Sequence, residues 1–122
     1  MASENGHLEI VKLLLQDNRV DPSDDNNQAI QNASYKGHLE IVKLLLQDNR
    51  IDPSDYNNRA IQNASSNGHL EIVKLLLQDN RVDPSDDNNS AIRNASENGH
   101  LEIVKLLLQD NRVVLSHESN CV

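Results

Sequence analysis

Four histidines, His7, His38, His69 and His100, recur every 31 residues, and an imidazole is both a metal ligand and a proton carrier. A shared metal site fails on distance. Ligands must converge within about 2 Å of one ion, whereas equivalent positions on packed helices lie about 8–10 Å apart. These histidines are expected to serve a turn or helix start before each Leu-Glu pair. The segment Asp21–Asn27, Asp-Pro-Ser-Asp-Asp-Asn-Asn, is rich in oxygen ligands. It lacks the glycine at the sixth position and the glutamate at the twelfth that a calcium loop uses. His117 and Cys121 are four residues apart and too few to form a site. Asn32, Asn63, Asn94 and Asn88 each head an Asn-x-Ser acceptor. The opening Met-Ala-Ser-Glu-Asn-Gly shows no basic or apolar stretch of a secretory signal, so these acceptors are expected to stay unused. No phosphate loop, nucleophile elbow or dinucleotide fingerprint occurs. No enzyme activity, cofactor or metal is expected.

The balance of charge narrows the partners. Eleven Lys and Arg face 19 Asp and Glu, a net charge of -8. Nucleic-acid binding needs a basic footprint, so it is disfavoured. No apolar run approaches the roughly 20 residues of a spanning helix, and no membrane partner is expected. A single cysteine excludes an internal disulfide. These features fit a cytoplasmic or otherwise intracellular protein. There are two Tyr and no Phe or Trp, so a core filled by aromatic rings is excluded.

What positions these residues is a repeat. Ala2–Asn32, Ala33–Asn63 and Ala64–Asn94 align without a gap, and 25 of the 31 positions are identical in all three. A period of this length marks a stacked array. Cut at its loops, the chain reads as 1–20 (a partial first repeat, second helix only), repeats 21–51, 52–82 and 83–113, and a non-repeat tail, 114–122.

Each repeat carries two helical patterns. Gln28–Tyr35 places Ala29, Ala33, Ile30 and Ser34 on one face and Gln28, Gln31, Asn32 and Tyr35 on the other. Asn26 or Asn27 suits its N-cap, and Gly37 its left-handed C-cap. Leu39–Gln47 confines Glu40, Lys43 and Gln47 to a narrow arc and is apolar elsewhere. Such a helix needs burial on several sides, which stacked copies supply. Asn49 is the expected cap after it. Three helix pairs, 28–47, 59–78 and 90–109, thus follow one lone helix.

Gly-His-Leu-Glu-Ile-Val-Lys-Leu-Leu-Leu, at Gly6, Gly37, Gly68 and Gly99, resembles the second helix of the ankyrin repeat. Gln28–Ser34 stands where that family has Thr-Pro-Leu-His-Leu-Ala-Ala. The resemblance covers residues 2 to about 113 and implies an all-α helix–turn–helix–loop solenoid with loops projecting as fingers beside a concave helical face. Three departures stand out. The period is 31 rather than 33, so the fingers should be loops rather than full hairpins. The Thr-Pro-x-His set is absent. Asn32, Asn63 and Asn94 replace a large apolar residue, and are expected to form a ladder between layers.

Six positions differ among the copies: Glu4/Tyr35/Ser66, Asn5/Lys36/Asn67, Val20/Ile51/Val82, Asp25/Tyr56/Asp87, Gln28/Arg59/Ser90 and Gln31/Gln62/Arg93. The valine–isoleucine exchange is a core swap. The other five fall on surfaces that ankyrin-like proteins use for binding. Aromatic and Arg residues dominate interfaces, so Tyr35, Lys36, Tyr56, Arg59, Gln62 and Arg93 form the candidate partner-binding set. The resemblance implies a protein–protein interaction module. Its acidic fingers (Asp21, Asp24, Asp25; Asp52, Asp55; Asp83, Asp86, Asp87) favour a partner with a basic patch. The alternative is a designed scaffold, or a fragment of a longer array, with a structural role only. Neither end carries a polar capping repeat, so weak end-to-end self-association is expected, unless Val114 and Leu115 fold back as a minimal cap.

Overall fold

The computed structural model describes residues 7–17, 19–110 and 112–113. The expectations for Val114, Leu115, His117 and Cys121 lie outside them. The described residues form seven helices and no strand: α1 (Leu8–Leu15), α2 (Asp24–Lys36), α3 (Leu39–Leu46), α4 (Asp55–Ser66), α5 (Leu70–Leu77), α6 (Asp86–Glu97) and α7 (Leu101–Leu108). α2, α4 and α6 pack in one row, and α1, α3, α5 and α7 in a second. Each first helix also packs on the second helix of its own layer. This is the all-α stack expected, with loops for fingers.

The second helices are eight residues long, about 12 Å at 1.5 Å per residue and too short to be stable alone. Burial holds them. In α3, Ile41, Val42 and Leu45 are buried, and Ile72, Val73 and Leu76 repeat this in α5. Glu40, Lys43 and Gln47 stay exposed, as their arc requires. The first helices are thin. Ala29, Ile30, Ala33 and Ser34 are buried in α2 and Ala60, Ile61, Ala64 and Ser65 in α4, so neighbouring backbones approach closely. The buried apolar side chains are all Ala, Val, Ile or Leu. A strip between two helix rows has no wide centre for an aromatic ring to fill.

Gly37 ends α2 at φ 84 and donates its N–H to Ala33 O at 3.0 Å. Gly68 and Gly99 follow at φ 80 and 76. Two expectations fail. Asn49 does not adopt a left-handed conformation. α3 instead tightens, Gln47 N–H donating to Leu44 O and Asp48 N–H to Leu45 O. Nor do Asn26 and Asn27 cap α2 in the usual extended conformation. Asp25, Asn26 and Asn27 form a left-handed turn at φ 57, 59 and 64, and the same turn occurs at Tyr56–Asn58 and Asp87–Asn89. Asp and Asn tolerate this region better than other side chains. Tyr56 does not share that tolerance.

Candidate functional site

Three bonding patterns join each layer to the one before. The first starts at the left-handed turn. Asn27 and Asn58 are 5% exposed. Asn27 Nδ2 donates to Asp55 Oδ2 at 2.9 Å, and its Oδ1 accepts the Asp52 N–H at 2.9 Å. Asn58 repeats this with Asp86 and Asp83, both at 2.8 Å. The ladder between layers therefore runs chiefly through Asn27 and Asn58. Of the residues expected to form it, Asn63 donates to Gln31 O of the preceding layer at 3.1 Å, whereas Asn94 turns to Ser90 Oγ within its own layer.

The second pattern gives the histidines their role. His69 Nε2–H donates to Tyr35 O at 2.9 Å, and His100 Nε2–H to Ser66 O at 3.0 Å. A carbonyl only accepts, so Nε2 carries the proton. Asn67 and Asn98 donate to the same two carbonyls. The last-turn carbonyls of one first helix are thus satisfied from the next layer. The His69 ring lies so close to Gly37 that a Cβ there would meet Cε1 at 2.6 Å. Among the described residues no three His, Cys, Asp or Glu converge.

The third pattern was not read from the sequence. Asp48 grips Arg50 through Nε and Nη2 at 2.9 and 2.7 Å, and Arg50 Nη1 donates to Val20 O at 3.0 Å. Arg81 donates to Ile51 O at 2.9 Å. Arg112 reaches Val82 O at 2.6 Å and Leu77 O at 2.8 Å. The paired guanidinium holds the carboxyls of Asp48, Asp79 and Asp110 below their ordinary range and raises the arginines in turn. Arg50 and Arg112 thus satisfy the last carbonyl of the preceding second helix, Leu15 O and Leu77 O, and all three arginines tie down the loop that follows it. The Asp-x-Arg spacing, identical in every copy, was the available signal.

The candidate binding residues divide. Tyr35 and Tyr56 are 52% and 54% exposed, and Lys36 is exposed beside Tyr35. Tyr56 lies in the next finger with the Arg59 guanidinium 5.0 Å from its ring centre. Tyr35 and Lys36 stand at the other end of α2, about 12 Å along its axis at 1.5 Å per residue. Gln62 is only 6% exposed and donates to Asn57 O at 2.6 Å. Gln31 does the same to Asn26 O. Arg93, at that position in the last layer, donates to Asn88 O at 2.9 Å and Asp87 O at 3.3 Å, yet stays exposed. This position braces the left-handed turn in every layer. Several finger carboxylates are also engaged. Asp55 and Asp86 accept from Asn27 and Asn58, and Asp21, Asp52 and Asp83 accept from the serine two residues on. Asp25 has no such partner.

The opposite surface carries one exposed Glu–Lys pair per layer, such as Glu40–Lys43 at 3.3 Å, of little energetic weight. A recess of about 480 Å³ at α1, lined by Leu14, Val20, Pro22 and Ala29, is a layer face. Its counterparts Leu45, Ile51 and Ala60 are buried one layer on. No described helix is long and apolar enough to cross a membrane.

A search of curated protein sequences finds no match to this chain. The family model for ankyrin repeats (3 copies) matches residues 1–57 and 52–117. Together with the helix pairs, glycine-ended first helices and finger loops, this match shows that the chain belongs to the ankyrin repeat family.

Proposed function

We propose that the chain is a non-enzymatic interaction module that binds a partner protein on its first helices and fingers. Ankyrin repeats are generally protein–protein interaction modules, which gives the reading its class. One observation supports the choice of surface. The only two aromatic side chains stand at positions that differ between layers, and both are half exposed, while the His and Arg that join the layers are the same throughout. A rigid surface loses little entropy on binding. Tyr35, Lys36, Tyr56, Arg59 and Arg93 are the contact residues, with Gln62 holding the finger between them. The partner presents a basic patch to the acidic fingers. The test is affinity capture with the wild-type chain against the Tyr35→Ala/Tyr56→Ala/Arg59→Ala variant. A protein retained by the first and lost by the second supports the reading. An empty result for both favours a scaffold with a structural role only.

A second, weaker activity is end-to-end self-association. Ile10 and Leu13 on α1 are 49% and 68% exposed, and Leu101 and Leu108 on α7 are 60% and 53% exposed, whereas Ile41 and Ile72 inside the stack are buried. Light scattering over a concentration series tests it, and a constant monomer mass at high concentration removes it.

A further inference from the structure

We propose that the recess between the first two fingers binds a lysine or arginine side chain of the partner. The inference rests on the reading of a basic partner and names where one of its cations sits. The recess, about 220 Å³, is lined by Asp25, Asn26, Gln28 and Gln31 of one layer and Tyr56 of the next. Every group it offers suits a cation. The Asp25 carboxylate is exposed and makes no hydrogen bond or ion pair among the described residues. Gln31 spends its amide N–H on Asn26 O, so its Oε1 is the polar atom left to accept. The Tyr56 ring offers an apolar wall for a side-chain stem and a π face for its charge.

Arg59 is the opposing charge. It lies over the Tyr56 ring at 5.0 Å but does not line the recess. Asp24, Asp25 and Asp55 outnumber it on these two fingers, so the local field favours a cation. The chemistry belongs to this junction alone. At the next one, Tyr56 stands for Asp25, Arg59 for Gln28, Gln62 for Gln31 and Asp87 for Tyr56. That set places a resident cation where this one has an amide, and has an acid where this one has a ring.

The probes are three capped hexapeptides, glycine except for one central Arg, Lys or Glu. The readout is proton NMR of the tyrosine rings, assigned with Tyr35→Leu. With no Phe or Trp in the chain, Tyr35 and Tyr56 report separately. The Arg and Lys peptides should shift Tyr56 saturably and leave Tyr35 unmoved, and the Glu peptide should shift neither. Asp25→Asn should weaken the effect by about 1.5- to 5-fold, the range of an exposed charge contact. Asn suits the left-handed conformation of that position, so the variant retains its fold. Equal shifts at both rings, no shift at Tyr56, or an unchanged Asp25→Asn variant overturns the proposal. Loss of a captured partner in the triple variant without any peptide effect would refute this recess and leave protein binding standing. A peptide effect with no captured partner would do the reverse.

Discussion

The arginine of each layer should be worth what it reaches in the layer before, and the repeat supplies the control. Arg19 pairs with Asp17 but, among the described residues, donates to no earlier layer, and its side chain is 88% exposed. Arg81 has the same pairing with Asp79 and adds one bond, to Ile51 O at 2.9 Å. Arg112 adds three, to Val82 O, Leu77 O and Asp79 O. The intralayer pair is common to all and too exposed to contribute much. A partly exposed, charge-assisted bond to a backbone carbonyl contributes about 1 kcal/mol after solvent competition. Arg19→Ala should therefore leave stability nearly unchanged, whereas Arg81→Ala should cost about 1–1.5 kcal/mol and Arg112→Ala about 2–3. With a urea slope of about 1.5 kcal/mol per M, Arg81→Ala lowers the midpoint by roughly 0.8 M, and Arg19→Ala barely moves it. Arg81→Lys keeps the charge but loses the fork and should recover about half of the loss. Urea titration followed by circular dichroism measures the series. Equal losses for Arg19→Ala and Arg81→Ala would refute the reasoning, since the shared pair with aspartate would then account for the whole effect.

Three further outcomes follow from the same contacts. Gly68→Ala places a Cβ 2.7 Å from His100 Cε1 at φ 80, whereas Gly99→Ala meets nothing at φ 76. Thermal melts should show a loss of about 1 kcal/mol for the second and about 2–3 for the first, the excess being the displaced His100 bond. Asn58→Ala removes two bonds between layers and leaves the Asp83 N–H unpaired; it should cost about 2 kcal/mol, against about 1 or less for Asn63→Ala in the same melts. Finally, Asp48, Asp79 and Asp110 have lowered folded-state pKa values, chiefly through their arginine partners. Their contribution is complete above the ordinary value of 3.8 and is lost as pH falls through the folded value. The gap in urea midpoint between wild type and Arg81→Ala should narrow from neutral pH down to acid by the share of the Asp79 pair, with the share of the Ile51 bond remaining, and a constant gap would contradict the pairing.

The helices and their buried faces were legible because they depend on local spacing. Glu40, Lys43 and Gln47 share an arc, and Ala29, Ile30, Ala33 and Ser34 share a face, whatever lies beyond. The bonds between layers were not legible for a reason peculiar to repeats. Asn27 meets Asp52 and Asp55, Arg81 meets Ile51, and His100 meets Ser66, each roughly one period away. A residue and its copy carry the same letter, so the sequence does not say which layer a side chain serves. The left-handed turn was hidden as well, because Asp and Asn also suit caps and ordinary turns. Among the candidate residues, difference between copies correctly marked surface at Tyr35 and Tyr56. It also marked Gln62, which tolerates exchange with arginine because either side chain can donate to the same carbonyl.

The direction of the joining bonds has a consequence for how such a chain can be rebuilt. Every boundary between full layers sets donors of the later layer, His, Asn and Arg, against carbonyls of the earlier one. On the donor side the His and Arg positions are the same in every copy, whereas the Asn position is Lys36 in one; the acceptors are backbone oxygens, joined at one boundary by Ser66 Oγ. A unit is therefore a cassette whose plug is fixed at His and Arg and varies at the Asn or Lys position between them. Units can be reordered, deleted or inserted with the His and Arg bonds of the seam kept, and each carries its own tyrosine, arginine or acid to a new place along the surface.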